Sequence, residues 1–221
     1  HSKAIGKSGT SYIDDFESSK SSIDLRTIQN WFLASTPQKQ PDLFPEAAPN
    51  TGLAFNFNRA KLAWYVIDPS VFYRGNNQTP SHITKDDISN HMVREVFEDE
   101  VFPQKENSYD TPQNIAIMNL AYYPSDRGPY NFDVDGSEGY SSGINASGKL
   151  QDPWTRWAGI TRKIETTDFE ATNVEYIEFW LMDPFIYNPS HTGGFLYINL
   201  GDISEDVLRD SRKSVENGLP A

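Results

Sequence analysis

Three carboxylates close to the start of a predicted strand could bind a metal ion. Asp14, Asp15 and Glu17 lie within four residues of one another. Carboxylate oxygens are the ligands that Ca²⁺ takes in proteins, so this group predicts a calcium site. The alternative is a solvated strand edge, and the pattern leaves both interpretations open.

A second calcium candidate begins at Asn131 and resembles the first half of an EF-hand loop. Ligand types stand at the first, third and fifth positions, and Gly136 follows where such a loop turns sharply. The second half does not fit, because Ser142 occupies the position of the expected bidentate glutamate. An ordinary Asp/Gly turn is the alternative. The candidate ligands are Asn131, Asp133, Asp135 and Glu138.

Aromatic residues at a loop-to-strand junction supply a candidate stacking surface. Trp154 and Trp157 could form a platform for a sugar or a peptide if both rings were exposed and coplanar. Aromatic residues at such positions also pack into cores, so a structural role is the alternative.

Catalytic patterns are weak throughout the sequence. Glu175 and Glu178 could act as a pair of glycosidase carboxylates, but such pairs arise readily by chance among 31 acidic residues. The sequence has no nucleophile elbow, zinc-protease motif or phosphate loop, and no cysteine. We therefore predict that the chain is not an enzyme and carries no certain cofactor, with structural calcium as the one candidate.

The composition describes a folded, acidic chain. Of its 221 residues, 37% are hydrophobic and 13% aromatic, which is enough apolar surface for a core. The net charge of −12 would repel nucleic acid. No apolar run approaches the length of a membrane helix, so we expect a domain that is not itself embedded in a membrane.

The elements that would position these residues are mostly strands. Alternating or continuous apolar runs predict them, and a bend is expected near Arg59, where two runs meet. Thr84 and Asp87 predict a capped helix, 88–101 favours helix in its first half, and 203–208 could form one helical turn. The predicted strands are 12–17, 31–34, 53–59, 60–67, 115–123, 157–164, 174–182 and 195–200.

Strands separated by long loops, with few helices between them, predict a mainly β fold. The specific expectation is an antiparallel, jelly-roll-like β-sandwich of the galactose-binding kind. We expect a disordered or tag-derived leader at 1–10 and a single domain at 11–221, cut from a larger chain. The segment 124–153 is a candidate loop insertion.

Six strings resemble the SprA family of Bacteroidetes, also called Sov, and follow one another in matching order. The resemblance implies a piece of a very large outer-membrane translocon of the type IX secretion system, linked to gliding motility. The strings are YIDDFESSKSSIDLRTIQNWFLASTP (12–37), AKLAWYVIDPSVF (60–72), REVFEDEVFP (94–103), NLAYYPSDRGPYNF (119–132), WAGITRKIETTDFEATNVEYIEFWLMDPF (157–185) and GGFLYINLGDISEDVLRDSRKSVENGLP (193–220).

The resemblance further implies a soluble domain, preferably an extracellular cap, at the cell surface of a Gram-negative bacterium. Its expected partners are other translocon subunits and secreted cargo proteins, and it transfers no catalytic residue. A second resemblance supports a rival interpretation. An Asp–Phe–Glu opening followed by a tryptophan is similar to jelly-roll carbohydrate-binding modules, which implies a sugar-binding domain with a nearby structural calcium.

Overall fold

The computed structural model describes most of the chain, and its contacts divide the chain into two units. One unit comprises His1–Leu25 and Lys163–Leu181, and the other comprises Arg26–Arg162 and Met182–Ala221. The described residues are 2–3, 12–13, 23–49, 52–73, 75, 77–104, 113–137, 139–172 and 174–212. The predicted ligands Asp14, Asp15, Glu17 and Glu138 lie outside these ranges.

The first unit contains one short antiparallel pair. Strand β1 (Ser2–Lys3) pairs with β2 (Tyr12–Ile13), so the strand predicted at 12–17 is described only at its start. The described residues 174–181 form no paired strand or helix, although their pattern predicts a strand.

In the second unit, β3 (Trp31–Leu33) pairs antiparallel with β6 (Ile160–Arg162). Leu33, at the end of β3, is buried, whereas Phe32 is exposed, as the alternation of side chains in a strand requires. Both strands lie within segments that the sequence predicts as strands.

The longest pairing joins β4 (Ala60–Tyr65) to β5 (Asn119–Arg127), again antiparallel. A register shift between Ala60 and Lys61 places an irregularity beside the predicted bend. Strand β5 ends four residues later than predicted, at Arg127, and therefore enters the segment considered as a loop insertion. The residue after β5 is Gly128, and a side chain is excluded at this position because a Cβ there would overlap the carbonyl of Ala60.

The strand predicted at 53–59 is wrong, because this segment begins with a 3₁₀ helix at Gly52–Asn56. Phe55 and Asn56 are neighbours and both are buried, which a strand with one buried face does not permit. The buried amide of Asn56 donates to the carbonyl of Val207 at 2.7 Å. Satisfying such a polar side chain overrides the apolar alternation of this segment.

The helices are short. Helix α1 (Pro69–Phe72) begins after Asp68, and α2 (Lys85–Ser89) begins with the predicted capping box of Thr84 and Asp87. The prediction of helix in the first half of 88–101 is wrong beyond Ser89, where α2 ends. Helix α3 (Glu98–Val101) lies in the second half instead.

Further 3₁₀ helices lie at Ile28–Asn30, Pro45–Ala47 and Pro153–Thr155. The helical turn predicted at 203–208 is absent. None of the helices in the described ranges has the length and apolarity of a membrane span.

The core of the second unit is small and unusually polar. Phe44, Ala47 and Phe55 form its apolar cluster, and Trp157 packs against them. Buried polar residues surround this cluster, among them Glu46 and Arg59. The described part of the chain is therefore broadly β-rich, with three two-stranded antiparallel pairs, few short helices and long loops.

Candidate functional site

A buried carboxylate, Glu46, links three segments of the second unit. It accepts a hydrogen bond from Trp157 Nε1 at 2.8 Å through one oxygen, and from Asn58 Nδ2 at 2.9 Å through the other. Glu46 has no exposed surface, so it has lost the hydration that normally stabilises a carboxylate. These donors replace part of that hydration and fix the loops that carry them.

Arg59 is a buried cation in the same cluster. Its Nε donates to Asn56 Oδ1 at 2.8 Å, and its guanidinium lies 4.4 Å from the centroid of the Trp157 ring. Its two terminal nitrogens have no hydrogen-bond partner among the described residues. Burial lowers the pKa of Arg59 to about 9, and the negative charge of Glu46 opposes this shift. Glu46 therefore stabilises a cation that is otherwise poorly compensated.

Arg156 holds the loop that follows β5. Its guanidinium donates to the carbonyls of Phe57 at 3.0 Å and Gly143 at 3.2 Å, and its Nε donates to the carbonyl of Gln151 at 2.8 Å. Burial lowers the pKa of Arg156, and the nearby charge of Asp133 partly offsets this effect. Arg156 thus joins this loop to Phe57, in the segment that precedes β4.

The predicted EF-hand-like ligands take part in this loop as hydrogen-bonding groups. Asn131 donates to the carbonyls of Phe57 at 2.9 Å and Arg59 at 2.7 Å, so its amide faces the protein backbone. Asp133 is buried and accepts from the backbone N–H of Gly136 at 3.0 Å and from the hydroxyl of Ser141.

Asp135 is exposed, and among the described residues it does not lie in a cluster of three or more histidine or carboxylate side chains. Within the described ranges, no three histidine or carboxylate side chains come together as a metal site. Asn131 and Asp133 make the bonds of an Asx-stabilised turn, and Gly136 adopts the positive φ of +85° that this turn requires. Among the described residues of this loop, Asn131 and Asp133 are therefore engaged in hydrogen bonds within the protein, and calcium binding by the loop stays a prediction.

The two tryptophans of the predicted platform have different environments. Trp154 is 69% exposed in the middle of the 3₁₀ helix Pro153–Thr155. Trp157 packs its ring edge-on against Phe44, with 5.2 Å between ring centroids, and donates to Glu46. The two rings therefore do not present one shared exposed face.

An apolar cleft lies beside the end of β4. It has a volume of about 180 Å³ and is lined by side chains that include Ile67, Tyr73, Val96 and Ile115. Sites for small organic ligands usually enclose roughly 300–1,000 Å³, so this cleft is small for a substrate. The Tyr73 hydroxyl donates to the carbonyl of Val93 and ties one wall to the other.

Large apolar side chains are exposed along the described end of the first unit. The neighbouring residues Tyr176 and Ile177 are both exposed, and the same holds for the neighbours Trp180 and Leu181. Tyr176 reaches 77% exposure. Because neighbours in an extended chain point to opposite sides, this stretch is uncovered on both sides.

A corresponding stretch in the second unit is more clearly delimited. The apolar side chains at 195–200 are each more than half exposed, and Phe195 reaches 83%. The chain at 194–200 contains no helix, turn or paired strand. The rings of Phe195 and Tyr197 lie 6.1 Å apart, as expected for residues two positions apart on one side of an extended chain. The exposed apolar residues of this segment are Phe195, Leu196, Tyr197, Ile198 and Leu200.

Both ends of this stretch are anchored to the rest of the second unit. Before it, the Tyr187 hydroxyl accepts from the backbone N–H of His91 at 2.7 Å, and the rings of Phe185 and His191 stack at 5.8 Å. After it, the hydroxyl of Ser35 donates to the carbonyl of Ser204 at 2.5 Å. Val207, which is buried, and Arg209 continue this anchor, since the Arg209 guanidinium donates to the carbonyl of Ala47 at 2.6 Å. We call the span 194–203 between these anchors the suspended segment.

The charge of residues 164–208 is one-sided. Residues 164–208 contain no lysine or arginine, yet they carry nine acidic residues, so nine of the twelve net negative charges fall here. Sequence patterning by apolar period misses this feature, whereas a count of charge along the chain would have found it. The acidic residues are Glu165, Asp168, Glu170, Glu175, Glu178, Asp183, Asp202, Glu205 and Asp206.

Comparison with known proteins gives no family assignment. No model of a protein family matches the chain, and no curated protein matches it.

Proposed function

We propose that this chain is a binding domain of an outer-membrane, protein-conducting translocon of the type IX secretion system, of the SprA kind. In this role it docks other translocon subunits or secreted cargo, or shapes the mouth of the channel. It works at the cell surface of a Gram-negative Bacteroidetes bacterium and performs no catalysis. The ordered strings that resemble this family support the setting.

The observation that carries the binding role is the exposure of the apolar side chains at 195–200. A folded domain rarely exposes a large contiguous apolar patch, and such a patch usually marks the site where another molecule binds. Aromatic residues, which here include Phe195 and Tyr197, are also enriched at the centres of protein interfaces. The buried polar cluster supports a rigid domain, because Glu46 binds Trp157 and Arg156 binds Phe57 across long stretches of the chain.

The proposal includes a finer fold than the three described strand pairs. In a jelly-roll-like antiparallel sandwich, the residues at 195–200 would be a strand, as their composition favours. Such a strand would gain its ladder and its covering layer from the partner. This accounts for apolar side chains on both sides of the segment.

The test has a biochemical arm and a cellular arm. The 221-residue chain, immobilised, should retain translocon subunits or cargo from solubilised outer membranes. In cells, replacement of Leu196 and Ile198 by serine in the full-length protein should reduce secretion of proteins with C-terminal sorting signals, and should reduce gliding. The matched control is Leu53→Ser, which removes an exposed leucine from the 3₁₀ helix Gly52–Asn56.

Two results together would reject the proposal. The immobilised chain would retain no translocon subunit and no cargo, and an in-frame deletion of the domain would leave secretion normal while the protein is still present at its usual level.

The exposed ring of Trp154 favours carbohydrate binding as a second candidate function. One exposed tryptophan can stack on a sugar ring, whereas Trp157 is engaged in the core. On a glycan array, this candidate requires reproducible binding that Trp154→Ala abolishes. Binding that survives this substitution would exclude Trp154 as the stacking residue.

A further inference from the structure

The backbone of the suspended segment is open to pairing. No residue at 194–203 makes a backbone–backbone hydrogen bond with any other described residue. A side-chain hydrogen bond joins the segment to the rest of the second unit, with Gln40 Nε2 donating to Asn199 Oδ1 at 3.0 Å. Unpaired N–H and C=O groups along an extended chain form a template on which another strand can add.

The side chains of the segment specify the apolar part of its partner. The rings of Phe195 and Tyr197 lie near each other, and in an extended chain Leu196 and Ile198 would then point to the opposite side. A partner strand that alternates β-branched residues would place apolar groups beside them, and such cross-strand pairs stabilise a sheet. Main-chain bonds would supply the register.

The charge around the segment specifies the polar part. Asp202 lies within it, Asp183 and Asp206 lie on either side of it in the sequence, and 182–208 contains no lysine or arginine. A partner with lysine or arginine would find opposite charge here without a competing cation from the same stretch. A second copy of this chain would instead bring its own net charge of −12, which disfavours self-pairing.

From these features we propose that the suspended segment is a strand-addition site for a basic, extended segment of another polypeptide. The partner segment combines lysine or arginine with β-branched or aliphatic residues. This inference rests on the proposed binding role and names the chemistry of the partner. It is separable from that role, because the cellular deletion tests the role without reference to charge.

The experiment uses the 221-residue chain and three synthetic peptides of about ten residues, the length of a long strand. They alternate valine with lysine, with threonine or with glutamate. Fluorescence anisotropy measures affinity, and amide hydrogen exchange locates the contact. We expect the lysine peptide to bind at least about tenfold more tightly than the threonine peptide, to protect the amides of 195–200, and to weaken as salt is added. The glutamate peptide should not bind.

Two variants test whether the contact lies at the suspended segment. Ile198→Pro removes one backbone N–H and should abolish protection of this segment. Because proline could disturb more than pairing, Asp202→Lys is the second variant, and it should weaken the lysine peptide by about two- to fivefold. Leu53→Ser is the control and should bind like the unchanged chain.

Several outcomes would overturn the inference. Equal binding of all three peptides would refute the preference for a basic partner. Protection of amides only outside 194–203 would show that the peptide binds elsewhere. Absence of binding by every peptide would reject strand addition, even if deletion of the domain still blocks secretion. Self-association that Ile198→Pro abolishes would identify a second copy as the occupant instead.

Discussion

Replacement of Glu46 by glutamine should destabilise the protein strongly although it changes few atoms. The carboxylate accepts from two donors, Trp157 Nε1 and Asn58 Nδ2, at 2.8 and 2.9 Å. Glutamine offers one oxygen and one NH₂ group, so one of these donors would face another donor. An unsatisfied buried polar group costs about 1–3 kcal/mol.

The substitution also removes the negative charge that compensates Arg59. Glu46 raises the pKa of Arg59 against the larger effect of burial, so without it the buried cation is less stable. Removing one member of a buried charge pair typically costs about 3–5 kcal/mol. We therefore expect a loss of about 3 kcal/mol or more from the free energy of unfolding, which is a large fraction of the about 5–15 kcal/mol of an ordinary domain.

Urea denaturation followed by circular dichroism would measure this loss. The matched control is Glu100→Gln, because Glu100 pairs with Arg94 at 2.9 Å but both side chains are more than one-third exposed. The exposed pair should contribute no more than about 1 kcal/mol. In a background with Arg59→Met, Glu46→Gln should cost at least about 1 kcal/mol less than in the unchanged chain, because the cation is gone.

Two results would refute this reasoning. The loss caused by Glu46→Gln could equal that of Glu100→Gln, which would mean that the buried carboxylate contributes no more than a surface one. Alternatively, the loss could be unchanged in the Arg59→Met background, which would mean that the two buried charges are not coupled.

Three further predictions concern the turns and the titrating groups. Gly128→Ala should cost about 1–3 kcal/mol in urea denaturation because its Cβ overlaps a carbonyl of β4, whereas Gly194→Ala meets no atom and should be neutral. Hydrogen bonds from Thr84 lower the pKa of Asp87, so this stabilisation is present above the ordinary aspartate pKa and is lost as pH falls through the lowered one. Thr84→Val should raise the Asp87 pKa in an NMR titration, and an unchanged value would contradict the capping box. Burial raises the pKa of Tyr122 to about 12, so stability should fall as pH rises from about 10 towards 12, and Tyr122→Phe should remove one tyrosine ionisation near pH 12 from an ultraviolet titration.

The sequence predicts the elements whose signals are local. The apolar run at 60–67 becomes β4, and the Thr84–Asp87 capping box starts α2, because each depends on residues close together in the chain. The strand at 53–59 fails for the opposite reason. Its alternation satisfies a strand pattern, while the bond of Asn56 to Val207 depends on a residue that the pattern does not include.

The polar cluster was beyond prediction from the sequence. Glu46 and Trp157 stand 111 positions apart, and nothing local to either residue indicates that they meet. Charged residues are usually exposed, so a pattern assigns Glu46 and Arg59 to the surface, whereas the structure buries both completely. The apolar runs at 174–182 and 195–200 have strand composition, but a ladder also needs a partner strand, and composition does not specify one.

The anchors of the suspended segment have a consequence for how tightly it can bind a partner. Its two ends are fixed by the Tyr187 contact with His91 and by the Ser35 bond to Ser204. A chain held at both ends explores fewer conformations than a free tail, so ordering it on association loses less entropy. Ser35→Ala would move the fixed point at one end from Ser204 to Val207, and the resulting loss of affinity should come from greater freedom of the unbound segment, with its contacts to the partner unchanged.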